Sequence, residues 1–241
     1  MNNVWWILRR ELAFYLKAPI GYIIIAAALG LDGLFFNGLA VGSGARKSND
    51  VLEMFFLYTG GTILAAGVFV GMRLIAEERQ TGTFTLLATS PIREWQLVLG
   101  KYLSALTFLA VMTGLTLHMP LLLMVNGKIS LAHIVAGYLG VLLLASAGIA
   151  LFLVCSALSP NQLVAAVLGA GVAVAFTLLW FLSRIASPPV DELLAYMALF
   201  DKHFRPFMRG IISIQDVVFY LSLTYLGLVS ATRIIEARRW R

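Results

Sequence analysis

Six apolar runs, each long enough to cross a bilayer, occupy most of this 241-residue chain. A hydrocarbon core about 30 Å thick takes ~20 helical residues to span. Only helices or closed barrels pair every backbone amide inside it. The runs lie at roughly 20–41, 52–76, 95–125, 131–157, 162–184 and 214–235. They predict an all-α integral membrane protein, a single membrane domain over 1–241 with no soluble domain appended. Composition agrees: 60% of the residues are hydrophobic and 12% charged, about half the charged share of a soluble domain. A net charge of +6 would suggest nucleic acid in a soluble protein. Here the basic residues flank spans and meet membrane lipid, so no nucleic-acid partner is expected. Cys155 is the only cysteine. It allows no internal disulfide and no cysteine metal site, and suits a small buried hydrophobe.

Residues 3–17 place Trp5, Leu8, Leu12 and Leu16 at helical spacing among Arg9, Arg10, Glu11 and Lys17. This predicts an amphipathic helix lying in the interface, its tryptophan at headgroup depth, with Pro19 permitting a turn into the first span. That first apolar run is longer than a signal-peptide core, so it is read as a retained span. With six spans, both termini share a side with the insert at 77–94. That side holds eleven of the eighteen Lys and Arg but only five of the acids. The basic excess predicts cytoplasmic termini. The opposite side holds the connection 42–50 and the segment 185–213, where DELLAYMALF and FRPFMRGII read as a short helical hairpin before span six. Ser213 and Asp216 read as the start of the last span.

The charged, turn-rich insert between spans two and three points most directly to function. Glu77, Glu78 and Arg79 mark the exit from the membrane, and Gly82 allows a sharp turn. Thr83 is placed to cap a short helix with apolar Phe84, Leu86 and Leu87, closed by Thr89, Ser90 and Pro91. Exposed apolar side chains at a charged face need burial, either in a groove of a soluble partner or on the lipid surface.

Within the spans, Asp32 is an intramembrane carboxylate, and such a group is a functional candidate by default; a hydrogen-bonding role beside Gly30 and Gly33 is the equal alternative. Phe36 and Phe55 could line an amphiphile pathway, although phenylalanine facing lipid is the ordinary reading. Gly67 and Gly71 form a small-xxx-small pair that suits close helix packing. His118, just before Pro120, reads as a satisfied histidine at a kink; His133 and His203 read as interfacial. Three scattered histidines make no metal site. Gly42 to Ser48 superficially suggests a phosphate loop, but Arg46 replaces the glycine required before the lysine. No nucleotide, metal or other cofactor is expected in this chain.

Glu77-Glu78-Arg79, Gly82-Thr83, Leu86-Leu87, Thr89, Ser90-Pro91 and Gly100-Lys101 together resemble the signature of ABC-2 type transporter permeases. Tyr138-Leu139-Gly140, Ser156, Asn161-Gln162, His203-Phe204, Arg209-Gly210 and Arg239-Trp240 are similar to the gliding-motility-type subgroup. Phe84-Thr85 departs from the family's aliphatic residue followed by an acid. The resemblance implies that 77–94 carries a cytoplasmic coupling helix docking on a separate ATP-binding cassette ATPase, two copies per transporter, which would bind ATP and magnesium. It implies a transport subunit and no enzyme, with Glu77 and Glu78 anchoring the insert, Leu86 and Leu87 filling the docking groove, and export as the direction. The partner across the membrane would be a second permease copy or a companion membrane protein with an extracytoplasmic domain. Two other readings are an ion- or proton-coupled secondary transporter, for which Asp32 is the only deep charge and no inverted repeat is visible, and a membrane scaffold for a multiprotein machine.

Overall fold

The computed structural model describes residues 2–40, 48–83, 92–126, 129–187, 190–200 and 202–239. In these residues the regular structure is helical: α1 (Asn2–Lys17), α2 (Pro19–Ala40), α3 (Ser48–Gly71), α4 (Ala76–Gln80), α5 (Glu94–Leu115), α6 (His118–Asn126), α7 (Leu131–Leu158), α8 (Gln162–Ser183), α9 (Val190–Met197), α10 (Arg205–Met208) and α11 (Ile214–Arg239). Six helical stretches among them are long and apolar enough to cross a membrane. The protein is an all-α, multi-pass membrane protein.

The middle of the bundle is a helix. α7 has 72% of its apolar stretch buried, whereas the values for α2 and α8 are 17% and 12%. α3, α5, α8, α10 and α11 all pack on α7. Gly67 and Gly71 of α3 face Phe152 of α7; a Cβ at Gly71 would lie 2.5 Å from that of Phe152. The small pair therefore serves packing within the chain. Phe55 and Phe56 are buried in this core and face no lipid.

Two spans are broken. Span three bends between α5 and α6 because Pro120 lacks an amide and crowds the carbonyl four residues back, at Thr116. The chain answers with tighter bonds from Thr116 N to Thr113 O and Leu117 N to Gly114 O, and the His118 ring bonds Leu115 O at 2.8 Å. Span two ends in a turn at residues 72–75 before α4. Ser156 of α7 holds this turn: its Oγ accepts from Ile75 N and Ala76 N, each at 3.0 Å, and donates to Met72 O.

The expected helix at 3–17 is present, with a second apolar face that the sequence reading did not use. Ile7 and Tyr15 are buried, while Trp5, Trp6 and Leu16 face outward. α1 packs mainly on α5, so it rests on the bundle. At the opposite end, α9 and α10 form the expected pair of short helices before the last span. His203, expected at the interface, is fully buried there. Its Nε2 bonds Tyr196 O at 2.9 Å, its Nδ1 faces Asp216 Oδ1 at 2.7 Å, and its ring stacks on Phe219. Asp216 thus ties the hairpin to α11 in addition to lying in its first turn.

Candidate functional site

The root of the insert is the most densely bonded polar region among the described residues. α4 turns away from α3 and brings Glu77 and Glu78 to different partners. Glu77 receives a two-pronged bond from Arg73, Nε to Oε2 at 3.0 Å and Nη2 to Oε1 at 2.7 Å. The Arg73 guanidinium also lies 4.3 Å over the Phe14 ring of α1. Glu78 turns inward, with its Oε1 2.8 Å from Lys101 Nζ on α5 and 3.5 Å from Arg10. Lys101 also reaches Glu11 of α1 at 3.2 Å and is itself only 2% exposed.

Three elements distant in sequence therefore share one buried ammonium. A buried ion pair of this kind is stable only when each charge keeps its partners. Burial alone would push the Glu11 carboxyl up, but Lys101 and Arg10 outweigh it and hold it below the usual carboxylate range. Gly100 makes the approach of α1 possible. A Cβ there would fall 2.8 Å from Ile7 Cβ, so any larger residue would lift α1 away from Lys101. Between α1 and α4 lies a cavity of about 860 Å³, lined by Arg10, Phe14, Lys17, Arg73, Glu77 and Thr83 among others.

α4 is also held from behind. Arg79 Nη1 donates to Ser159 O at 3.0 Å, and Gln80 Oε1 accepts from Gln162 N at 3.2 Å, both in the short connection between α7 and α8. The next residues turn sharply, with Gly82 at φ +74°, a conformation that costs glycine little. Thr83 Oγ1 bonds back to Glu78 O and to Thr81. Of the expected coupling residues, Glu77, Glu78, Gly82 and Thr83 are thus gathered at one junction. Phe84, Leu86, Leu87 and Pro91 lie outside the described residues, as does the segment 41–47 with its phosphate-loop-like run.

The candidate pathway residues sit elsewhere. Asp32 is 2% exposed and accepts a bond from Thr62 Oγ1 of α3 at 2.8 Å. Phe36 meets Phe55 edge-on with ring centres 5.9 Å apart. Asp32 and Phe55 are core residues of the α2–α3 contact in this conformation. No group of three or more His, Cys, Asp or Glu able to hold a metal is found among the described residues.

Sequence reading missed the parts played by Glu11, Arg10 and Arg73, and saw Lys101 only as part of a motif. A lysine one turn inside an apolar run was the available signal, since a charge there needs a partner.

A family model described as ABC-2 family transporter protein matches residues 21–226. No curated protein matches the chain.

Proposed function

The chain belongs to the ABC-2 family of transporter proteins, and we propose that it is the half of an exporter that turns ATP hydrolysis on a cassette subunit into movement of its own spans. The family makes it a membrane subunit of an ABC transporter and implies an ABC ATPase as partner; the ATP and magnesium would be bound there. In our reading both termini and the insert 77–94 face the cytoplasm of a prokaryotic cell. Leu86 and Leu87 dock on the cassette, and the subunit is of the gliding-motility type, paired with a second copy or with a companion membrane protein.

The single observation that best supports coupling through the insert is the Lys101 junction. A push on the insert arrives at α4, and α4 is tied to α1 and α5 through Lys101 and to α7 and α8 through Ser156, Ser159 and Gln162. Force applied at one short segment is thereby delivered to four helices at once. Packed elements of this kind move as units between discrete arrangements.

The test is co-purification with the cassette subunit in detergent. Leu87→Asp places a charge where an apolar side chain is proposed to fill a groove, and should abolish recovery of the cassette while the permease still inserts in the membrane. Undiminished recovery of the cassette with Leu87→Asp would sink the docking role of the insert.

A further inference from the structure

A groove of about 390 Å³ opens between the first turns of α5 and the last turns of α11, at the end of the bundle that carries α1 and α4. Its walls are apolar, formed by Val98, Leu99, Leu228 and Val229, and its mouth is polar, with Trp95, Arg233 and Glu236. From Tyr225 to Arg233 the helix rises about 12 Å at 1.5 Å per residue, so the apolar part extends well into the hydrocarbon layer. Tyr225 and Trp95 are both exposed.

We propose that this groove binds one phospholipid with a zwitterionic, primary-ammonium headgroup, of the phosphatidylethanolamine class. The mouth carries both signs of charge. Arg233 Nη1 and Glu236 Oε2 lie 3.0 Å apart on one face of α11, with side chains 77% and 37% exposed, so each keeps open directions for a further partner. The Trp95 indole N–H has no acceptor among the described residues. A lipid phosphate accepts from Arg233 and from the indole, and the neighbouring ammonium donates to Glu236. An anionic headgroup without an ammonium would meet Glu236 unfavourably, and a trimethylated one would offer it no N–H. Tryptophan at headgroup depth and an acyl chain along Val98 and Leu228 complete an amphipathic fit to one lipid molecule.

The experiment uses the full chain in bilayers, with phosphatidylethanolamine, phosphatidylglycerol or phosphatidylcholine brominated on the acyl chain as quencher. The site signal is the part of tryptophan quenching lost in Trp95→Phe. The three mouth residues are exposed, and gel filtration with circular dichroism verifies that each variant is folded. The expected result is a preference of the Trp95 component for phosphatidylethanolamine of about 2- to 5-fold, the worth of an exposed ion pair. Glu236→Gln should erase that preference, and Arg233→Gln should weaken binding of all three lipids. Equal quenching by the three headgroups, a preference for phosphatidylglycerol, or a preference that survives Glu236→Gln would overturn the proposal. So would a Trp95 component that no lipid quenches, which would mean that protein covers the groove.

Discussion

Removing the Lys101 ammonium leaves Glu11 and Glu78, with side chains 17% and 12% exposed, sharing the largely exposed Arg10 at 2.6 and 3.5 Å. Losing one partner of a buried ion cluster costs about 3–5 kcal/mol, chiefly because the charges left behind stay desolvated. Lys101→Met should therefore lower the thermal unfolding midpoint sharply, and Lys101→Met with Glu78→Met should recover part of the loss. Equal midpoints for the two variants would show that Glu78 does not depend on Lys101. Within this cluster Glu11 carries a pH dependence of its own. Because the folded state holds the Glu11 carboxyl below its ordinary range, its contribution is fully present above that range. It is lost as pH falls through the folded value, so an acid titration of stability should flatten in Glu11→Gln. Legibility at this scale depends on whether a partner lies nearby in sequence. Asp32 stands out as an acid in an apolar run, yet nothing local reveals Thr62. Lys101 and Glu11 are ninety positions apart, and no periodicity links them. Likewise, the burial of His203 rests on a hairpin that folds back on Asp216.

Ser156 serves a whole element, because one hydroxyl satisfies two amides and a carbonyl at the turn between α3 and α4. Ser156→Ala leaves the Ile75 and Ala76 amides buried without that acceptor, each at a cost of about 1–3 kcal/mol. The variant should unfold at lower temperature and recover less cassette subunit, because α4 loses its fixed direction. Thr177→Ala is the matching control. The Thr177 hydroxyl is exposed and bonds only to a carbonyl of its own helix, so both readings should stay at wild-type values. Unchanged cassette recovery with Ser156→Ala would show that the turn does not direct the insert. The spans themselves were legible, since length and apolarity alone set them within a few residues. The bend before α6 was legible too, through Pro120. The turn before α4 was not, because what stabilises it comes from a helix about eighty residues later. The inner face of α1 was not legible for a related reason: Ile7 and Tyr15 meet α5 while Trp5 and Leu16 stay exposed, and both faces look apolar in sequence.

For the whole molecule, the position of α7 bears on how many chains a pathway needs. A span buried to this degree fills the place where a pathway through a single bundle would run, which favours a route between two bundles, consistent with the proposed exporter. The face that meets the second bundle should come from a span that its own chain leaves open. α8 is the least buried of the six, and beside it α3 and α8 line an open apolar groove of about 420 Å³ floored by small residues such as Gly61, Ala65 and Ala173. Small residues let neighbouring helices approach closely in lipid. α2 and α11 are the next most open spans, and the groove of α11 with α5 has the polar mouth and apolar walls of a lipid site. In a Cys155→Ala background, Val174→Cys on α8 should therefore form a disulfide-linked permease dimer under mild oxidation in native membranes. Val218→Cys on the exposed face of α11 should remain monomeric. The two residues are similarly exposed, at 55% and 56%, so a difference would report proximity to a second chain and not access to the oxidant. Cross-linking at Val218→Cys alone would move the interface to α11 and place protein where the lipid is proposed to sit. Cross-linking at neither, with the cassette bound, would leave either α2, the other open span, or a companion protein, which offers no cysteine at the matching position, as the second side of the interface.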